Sequence, residues 1–183
     1  MCGIVGIINK TKQTPELSVL TKMANTLDHR GPDEEGHYLE NQVGFYHKRL
    51  SIIDLASGQQ PMSFDGITIT FNGEIYNYVE LKQELIGLGH KFRTTSDTEV
   101  IIRMYLQHGL AFVDKLNGMF AFLLYDSHKN QIIAARDHFG IKPIYFHIND
   151  ECLLFASEIK AILQHPTVHA EPDYDSIQDY LTF

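Results

Sequence analysis

Three features of the chain predict an α+β fold in which antiparallel sheets are covered by helices. Strand-like segments in the second half follow one another through short polar turns, which implies antiparallel pairing. Several are apolar on both faces, so each sheet face should be covered by a further layer. Three stretches with helical apolar spacing lie between the early and late strands and can supply those layers.

Gly3 to Ile8 is a short continuous apolar strand whose glycines allow close backbone approach. Thr14 can cap a helix with Pro15 at its first position and Leu17, Leu20, Met23, Ala24 and Leu27 on its apolar face. The loop Asp28-His29-Arg30-Gly31-Pro32-Asp33 ends it. Val43 to Lys48 reads as a strand closed by Arg49. After the Asp65-Gly66 turn, Ile67, Ile69 and Phe71 alternate with Thr68, Thr70 and Asn72 in a further strand. Asn77 and Glu80 have capping-box spacing and open a helix carrying Val79, Leu81, Leu85 and Leu88, closed by Gly89. Ser96 and Glu99 repeat that spacing ahead of Val100, Ile101, Met104 and Tyr105. Phe120 to Tyr125, Ile132 to Arg136, Ile144 to Ile148 and Cys152 to Ala156 are strands. The last segment, from Asp173, reads as an amphipathic helix cut short.

Composition narrows the function classes. A chain of 183 residues with 44% hydrophobic and 21% charged content is globular and fits one domain with a real core. A net charge of −8 disfavours a nucleic-acid ligand but leaves small charged metabolites open. Two cysteines argue against a disulfide framework and for a reducing, cytoplasmic compartment. No segment approaches the roughly 20 apolar residues of a membrane span, and Ile4 to Ile8 is too short for a signal peptide.

Cys2 is the most informative residue. Its small side chain permits removal of Met1, which would leave a thiol and a free α-amine on one residue. Ordinary values of about 8.5 for the thiol and about 7.7–8.0 for the amine let the amine accept the thiol's proton near physiological pH. One residue then combines nucleophile and general base. Asn72 and Gly73 are candidate donors to a developing oxyanion, one through its side-chain amide and the other through its backbone N–H. Arg49 can grip a carboxylate through two parallel N–H bonds. Asp97, with Glu74 beside it, can receive an ammonium. Each also admits an ordinary reading: a buried early cysteine, an Asn-Gly turn, a structurally paired arginine, an acid capping a helix. The ten histidines lack metal-ligand spacing, and His47 and His138 are expected to be core or surface residues. Neither GxxxxGK[ST] nor GxGxxG is present, and Cys152 reads as an inert structural thiol.

Taken together, MCGIVGII at the start, HRGPD at 29–33, RLSIIDL at 49–55, FNGEIYN at 71–77 and SDTEV at 96–100 form an ordered set. GMFAF at 118–122, RDHFGIKPIY at 136–145 and FASEIKAI at 155–162 complete it. In these segments the chain resembles the glutaminase domain of class II glutamine amidotransferases, of the asparagine synthetase type. The resemblance implies an N-terminal nucleophile (Ntn) hydrolase fold, a four-layer αββα sandwich of two antiparallel sheets. It implies that Cys2 attacks glutamine, that Asn72 and Gly73 stabilise the oxyanion, and that a γ-glutamyl thioester is hydrolysed to glutamate. Arg49 would hold the α-carboxylate, Asp97 and Glu74 the α-ammonium, and Leu50, Ser51, Ile52 and Ile53 would line the glutamine pocket. Residues 1–175 would form this domain, and 176–183 would begin a linker or helix into an absent synthetase domain that receives the ammonia and makes asparagine from aspartate. No metal or other cofactor is expected in residues 1–183; ATP and Mg would belong to the synthetase domain. Glutamine and that domain are the expected partners, with neither nucleic acid nor membrane, and exposed apolar surface could support a homo-oligomer. The alternatives are an N-terminal cysteine acylase acting on another amide, a glutamine-binding module without catalysis, and a domain that only docks a synthetase.

Overall fold

A computed structural model describes the whole chain except Ile53, Leu55, Ala56 and Phe183. One antiparallel sheet contains β1 (Gly3–Asn9), β2 (Glu34–Glu40), β3 (Val43–Arg49), β8 (Tyr145–Ile148) and β9 (Cys152–Ala156), in the order β2-β3-β1-β9-β8. The other contains β4 (Met62–Phe64), β5 (Ile67–Ile75), β6 (Gly118–Asp126) and β7 (Gln131–Arg136), in chain order. Helices α1 (Leu17–Asn25), α2 (Tyr78–Gly87), α3 (Asp97–His108), α4 (Ile159–Ile162) and α5 (Tyr174–Thr182), with a 3₁₀ turn at Gly109–Lys115, complete the elements.

Alternation along the strands divides the apolar residues into three layers. Val5, Ile7, Tyr46, Leu154 and Ala156 of the first sheet pack against Leu20, Met23 and Ala24 of α1 and Ala161 of α4. Ile67, Ile69, Phe71, Phe120 and Phe122 of the second sheet pack against Leu85 of α2 and Val100, Ile101 and Met104 of α3. Val43, Phe45 and Phe155 meet Leu123 and Tyr125 between the sheets. The result is the expected αββα sandwich.

Several elements differ in detail from the sequence expectation. Helix α1 begins at Leu17 with Glu16 at its N-cap, because Pro15 is buried against β3 near Gly44 rather than opening the helix, and Thr14 stays exposed. Asn77 does sit at the N-cap of α2, but its side chain is bonded to the Lys115 carbonyl and the Asn117 N–H, so it ties two loops together instead of capping. Val79 and Leu88 are exposed, leaving Leu81 and Leu85 as the buried residues of that helix. Ser96 caps α3 as expected, accepting from the Thr98 N–H at 3.2 Å. Glu99, however, reaches past the cap to the N–H groups of Arg93 and Thr94.

That reach fixes the loop leading into Asp97, the first residue of α3. Glu99 also forms a buried ion pair with Arg103 at 2.9 Å. Burial pushes its carboxyl up, but the bonds from Arg103 and Thr94 outweigh that and hold it below the usual range. Removing one partner of such a pair leaves an uncompensated buried charge, so Glu99→Ala should cost about 3–5 kcal/mol of unfolding free energy in a denaturant melt. A loss under about 1 kcal/mol, the scale of an exposed pair, would show that the pair carries no such weight.

Candidate active site

The site is built on one edge of β5. Backbone N–H groups alternate in direction along a strand, so Phe71, Gly73 and Ile75 face the side on which β4 pairs only with Ile67–Ile69. Beyond β4, side chains take over that edge. The Gln60 carboxamide exchanges two hydrogen bonds with Phe71, at 2.7 and 3.1 Å. Asp97 Oδ2 accepts the Ile75 N–H at 3.1 Å. Gly73, between them, presents its N–H to the pocket. A Cβ here would collide with the Met119 carbonyl on β6, so the close strand pairing requires glycine. On the other face of the strand the Asn72 side chain is buried between the sheets, and its Nδ2 has no hydrogen-bond partner among the described residues. Two adjacent donors are thus left uncommitted next to one pocket, although such groups are normally paired.

Cys2 reaches the same pocket from the other sheet. It precedes β1, whose register (Gly3 opposite Lys48) carries it alongside Arg49. The Leu50 N–H donates to Sγ at 3.4 Å, and the thiol faces the Leu50 carbonyl at 3.6 Å. Arg30 holds the Cys2 carbonyl at 3.0 Å and is itself anchored on Glu158 at 2.9 Å. Gly31 lets this loop lie directly against the Lys48 carbonyl. Burial pushes the Cys2 thiol up, more than Leu50, the chain terminus, Arg49 and Arg30 pull it down. Little thiolate exists at neutral pH in this state, so attack by this sulfur needs a base close by. Met1 lines the pocket and is half exposed.

Arg49 is buried in the pocket wall. Its guanidinium donates to Glu34 at 2.6 Å and to the Asp54 carbonyl at 2.7 Å, so its plane is held rigidly. Asp97 is also buried in the pocket wall with half-buried Glu74 near it, and no described cation pairs with either. Burial, with the charge of Glu74 adding to it, pushes the Asp97 carboxyl up to about 6 against the N–H bonds of Ile75 and Thr98. A buried acid without a counter-ion suits a cationic group brought by a ligand.

Cys2, Arg49, Leu50, Ile52, Asn72, Gly73, Glu74 and Asp97 therefore line one pocket. Ser51 points its backbone N–H at Asp33 (2.8 Å) and does not line it; Ile53 lies outside the described residues. The Asn-Gly pair is inside β5, not in a turn. Four further residues of the site were not singled out in the sequence: Arg30 and Glu158 behind Cys2, Gln60 on the strand edge, and Lys142 in the pocket wall. Arg30, Lys142 and Glu158 do fall inside HRGPD, RDHFGIKPIY and FASEIKAI, but a motif alone does not say which side chain turns inward. His47 is a core residue beside the site. Its Nδ1 meets Thr70 Oγ1 at 3.0 Å while Nε2 has no described partner, and burial, then Arg49, pushes it down to about 3, so it is neutral. His138 is on the surface.

Comparison with known proteins bears on the fold and the family. Among solved structures, glutamine phosphoribosylpyrophosphate amidotransferase from Bacillus subtilis superposes with a TM-score of 0.69 at 23% identity, over 87% of this chain and 42% of that one. An allosteric regulatory enzyme of purine biosynthesis gives 0.72 at 22% identity, over 88% and 43%. At these identities the likeness establishes the fold. In sequence, asparagine synthetase [glutamine-hydrolyzing] 2 of Bacillus subtilis is 46% identical over 91% of this chain and 23% of its own length. Asparagine synthetase [glutamine-hydrolyzing] 1 of the same organism is 43% identical over all of this chain and 30% of its own. The chain thus spans less than a third of these relatives. Residues 1–183 match the glutamine amidotransferase domain throughout, and the chain belongs to that family, on the asparagine synthetase side that its motifs indicate.

Proposed function

We propose that the chain hydrolyses glutamine to glutamate and ammonia, with Cys2 as nucleophile once Met1 has been removed. The observation that carries this reading is the pair of uncommitted donors, the buried Asn72 amide and the Gly73 N–H, in the pocket that also holds the Cys2 thiol. The α-amine of Cys2 takes the thiol proton as Sγ bonds to the amide carbon. Negative charge moves to the amide oxygen, where Asn72 and Gly73 donate to it. When the tetrahedral species collapses, the C–N bond breaks and the α-ammonium returns its proton to the departing ammonia. Water then attacks the γ-glutamyl thioester, gives a proton to the same amine, and releases glutamate and the thiol. Arg49 holds the α-carboxylate, with Asp97 and Glu74 on the α-ammonium. Gripping both charged ends favours free glutamine over a peptide-bound amide, and over the substrate of a general acylase.

In the longer parent suggested by the relatives' length, residues 1–175 form this domain and the ammonia passes to an ATP- and Mg-dependent synthetase domain. That domain would make asparagine from aspartate. The first test is the intact mass before and after exposure to an electrophilic glutamine analogue. Loss of Met1 plus one adduct, absent in Cys2→Ala, is the expected result. A Met1-free chain that takes no adduct would favour the binding module instead.

Asp97 adds a pH signature. Only its charged form attracts the ammonium, so kcat/KM for glutamine should fall about tenfold per unit below roughly pH 6, the profile reporting the free enzyme. Asp97→Asn should raise KM and remove that acid limb; a limb that persists in the variant belongs to another group. The effect on stability has the opposite sense. Asp97 holds its proton more tightly folded than unfolded, so its contribution weakens as pH rises from the ordinary carboxylate range to about 6.

A further inference from the structure

Lys142 is the pocket residue that the glutamine reading leaves without a task. It is buried at 8% exposure, and among the described residues its ammonium has neither an ion pair nor a hydrogen bond. With its stem buried and its ammonium left without a protein partner in the pocket wall, this lysine is placed to meet an anion brought by a ligand.

The loop that presents it is rigidly built. The Asp137 carboxylate accepts the N–H groups of Phe120 (3.1 Å), Phe139 (3.1 Å), Ile141 (2.9 Å) and Lys142 (3.1 Å). These bonds overcome the upward push of burial and hold the Asp137 carboxyl below its usual range, so it stays charged. Arg136 clamps the loop from the other side, donating to the Lys142 carbonyl at 2.9 Å and to the Gly140 carbonyl. Phe120 is the residue opposite Gly73 in the β5–β6 register. The loop therefore hangs from β6 at the position paired with Gly73, and Lys142 lines the same pocket as Cys2, Asn72 and Gly73.

Charge matching at the other end of the ligand is already complete, with Arg49 for the α-carboxylate and Asp97 and Glu74 for the α-ammonium. Hydrolysis changes the charge only at the γ-position, where a neutral carboxamide becomes a carboxylate. Resting on the glutaminase reading, we propose that Lys142 recognises the γ-carboxylate of glutamate, so that the pocket holds its product more tightly than its substrate. Acidic product then slows the enzyme by occupying the site.

The test is equilibrium titration of glutamine and of glutamate, separately, into Cys2→Ala protein with and without a second change at Lys142. Lys142→Met should lower the glutamate-to-glutamine affinity ratio about tenfold, the scale of one charge-assisted contact, while Lys142→Arg keeps most of it. An unchanged ratio in Lys142→Met, whether both affinities fall together or neither moves, overturns the proposal, because the lysine then acts on the shared α-end or on the fold. The adduct experiment separates this from the underlying reading. An adduct on wild-type Cys2 with an unchanged ratio defeats only the role of Lys142. No adduct and no binding of either amino acid defeats both.

Discussion

Replacing Cys2 with alanine is expected to abolish glutamine hydrolysis, a loss on the order of 10⁵-fold or more, the scale on which enzymes lose rate without their nucleophile. Alanine still permits removal of Met1, so the loss is chemical and not one of processing. Glutamine should remain bound, since Arg49, Glu74 and Asp97 line the pocket independently of the sulfur. Cys2→Ser is expected to stay largely inactive, because a hydroxyl is far harder to deprotonate than a thiol. Protein that keeps Met1 should be inactive as well, for a different reason. The free amine then sits one residue away from the sulfur, and burial keeps the thiol protonated with no base in place. Single-turnover release of ammonia measures all three, and substantial hydrolysis by Cys2→Ala would eliminate the mechanism.

Asn72→Ala is expected to lower kcat by about 10²–10³, the cost of one oxyanion donor, with a much smaller change in KM. The split follows from when the interaction is made. Charge on the amide oxygen appears only as the tetrahedral species forms, so the ground state gains little from the donor. The stability consequence should be small or favourable. In the resting protein the Asn72 Nδ2 is buried with no described partner, so alanine removes an unsatisfied group. A variant that loses activity while its melting temperature holds or rises would match a residue kept for chemistry. An Asn72→Ala protein that unfolds easily and regains its rate when stabilised would mark the residue as structural. Gly73 cannot be separated in this way, because any side chain there meets the backbone of β6.

Most of the fold was legible in the sequence because its strands and helices carry strong local signals. The apolar runs of β1, β6 and β9 and the alternation at the start of β5 reflect burial that those residues dictate themselves. β2 was missed because Glu34–Glu40 is an edge strand of mixed polarity, half of it facing solvent, with no pattern to distinguish it from a loop. β4 is three residues long and exists through its pairing with β5. At the site, local chemistry identifies the side chains that can react: a thiol beside a prospective amine, an amide next to a glycine, an arginine, two acids.

What the chain order does not contain is which of their hydrogen-bonding groups remain unpaired. That was decided where the two sheets meet. Because β4 begins only at Met62, opposite Ile69, the edge of β5 beyond that pair is open, Gln60 and Asp97 cover its flanks, and Gly73 is left between them. The loop clamped by Asp137 likewise makes Lys142 a pocket residue, though nothing in its immediate sequence separates it from a surface lysine. Identity and spacing belong to the one-dimensional chain. Desolvation and the loss of alternative partners arise only when segments far apart in sequence exclude water from one another.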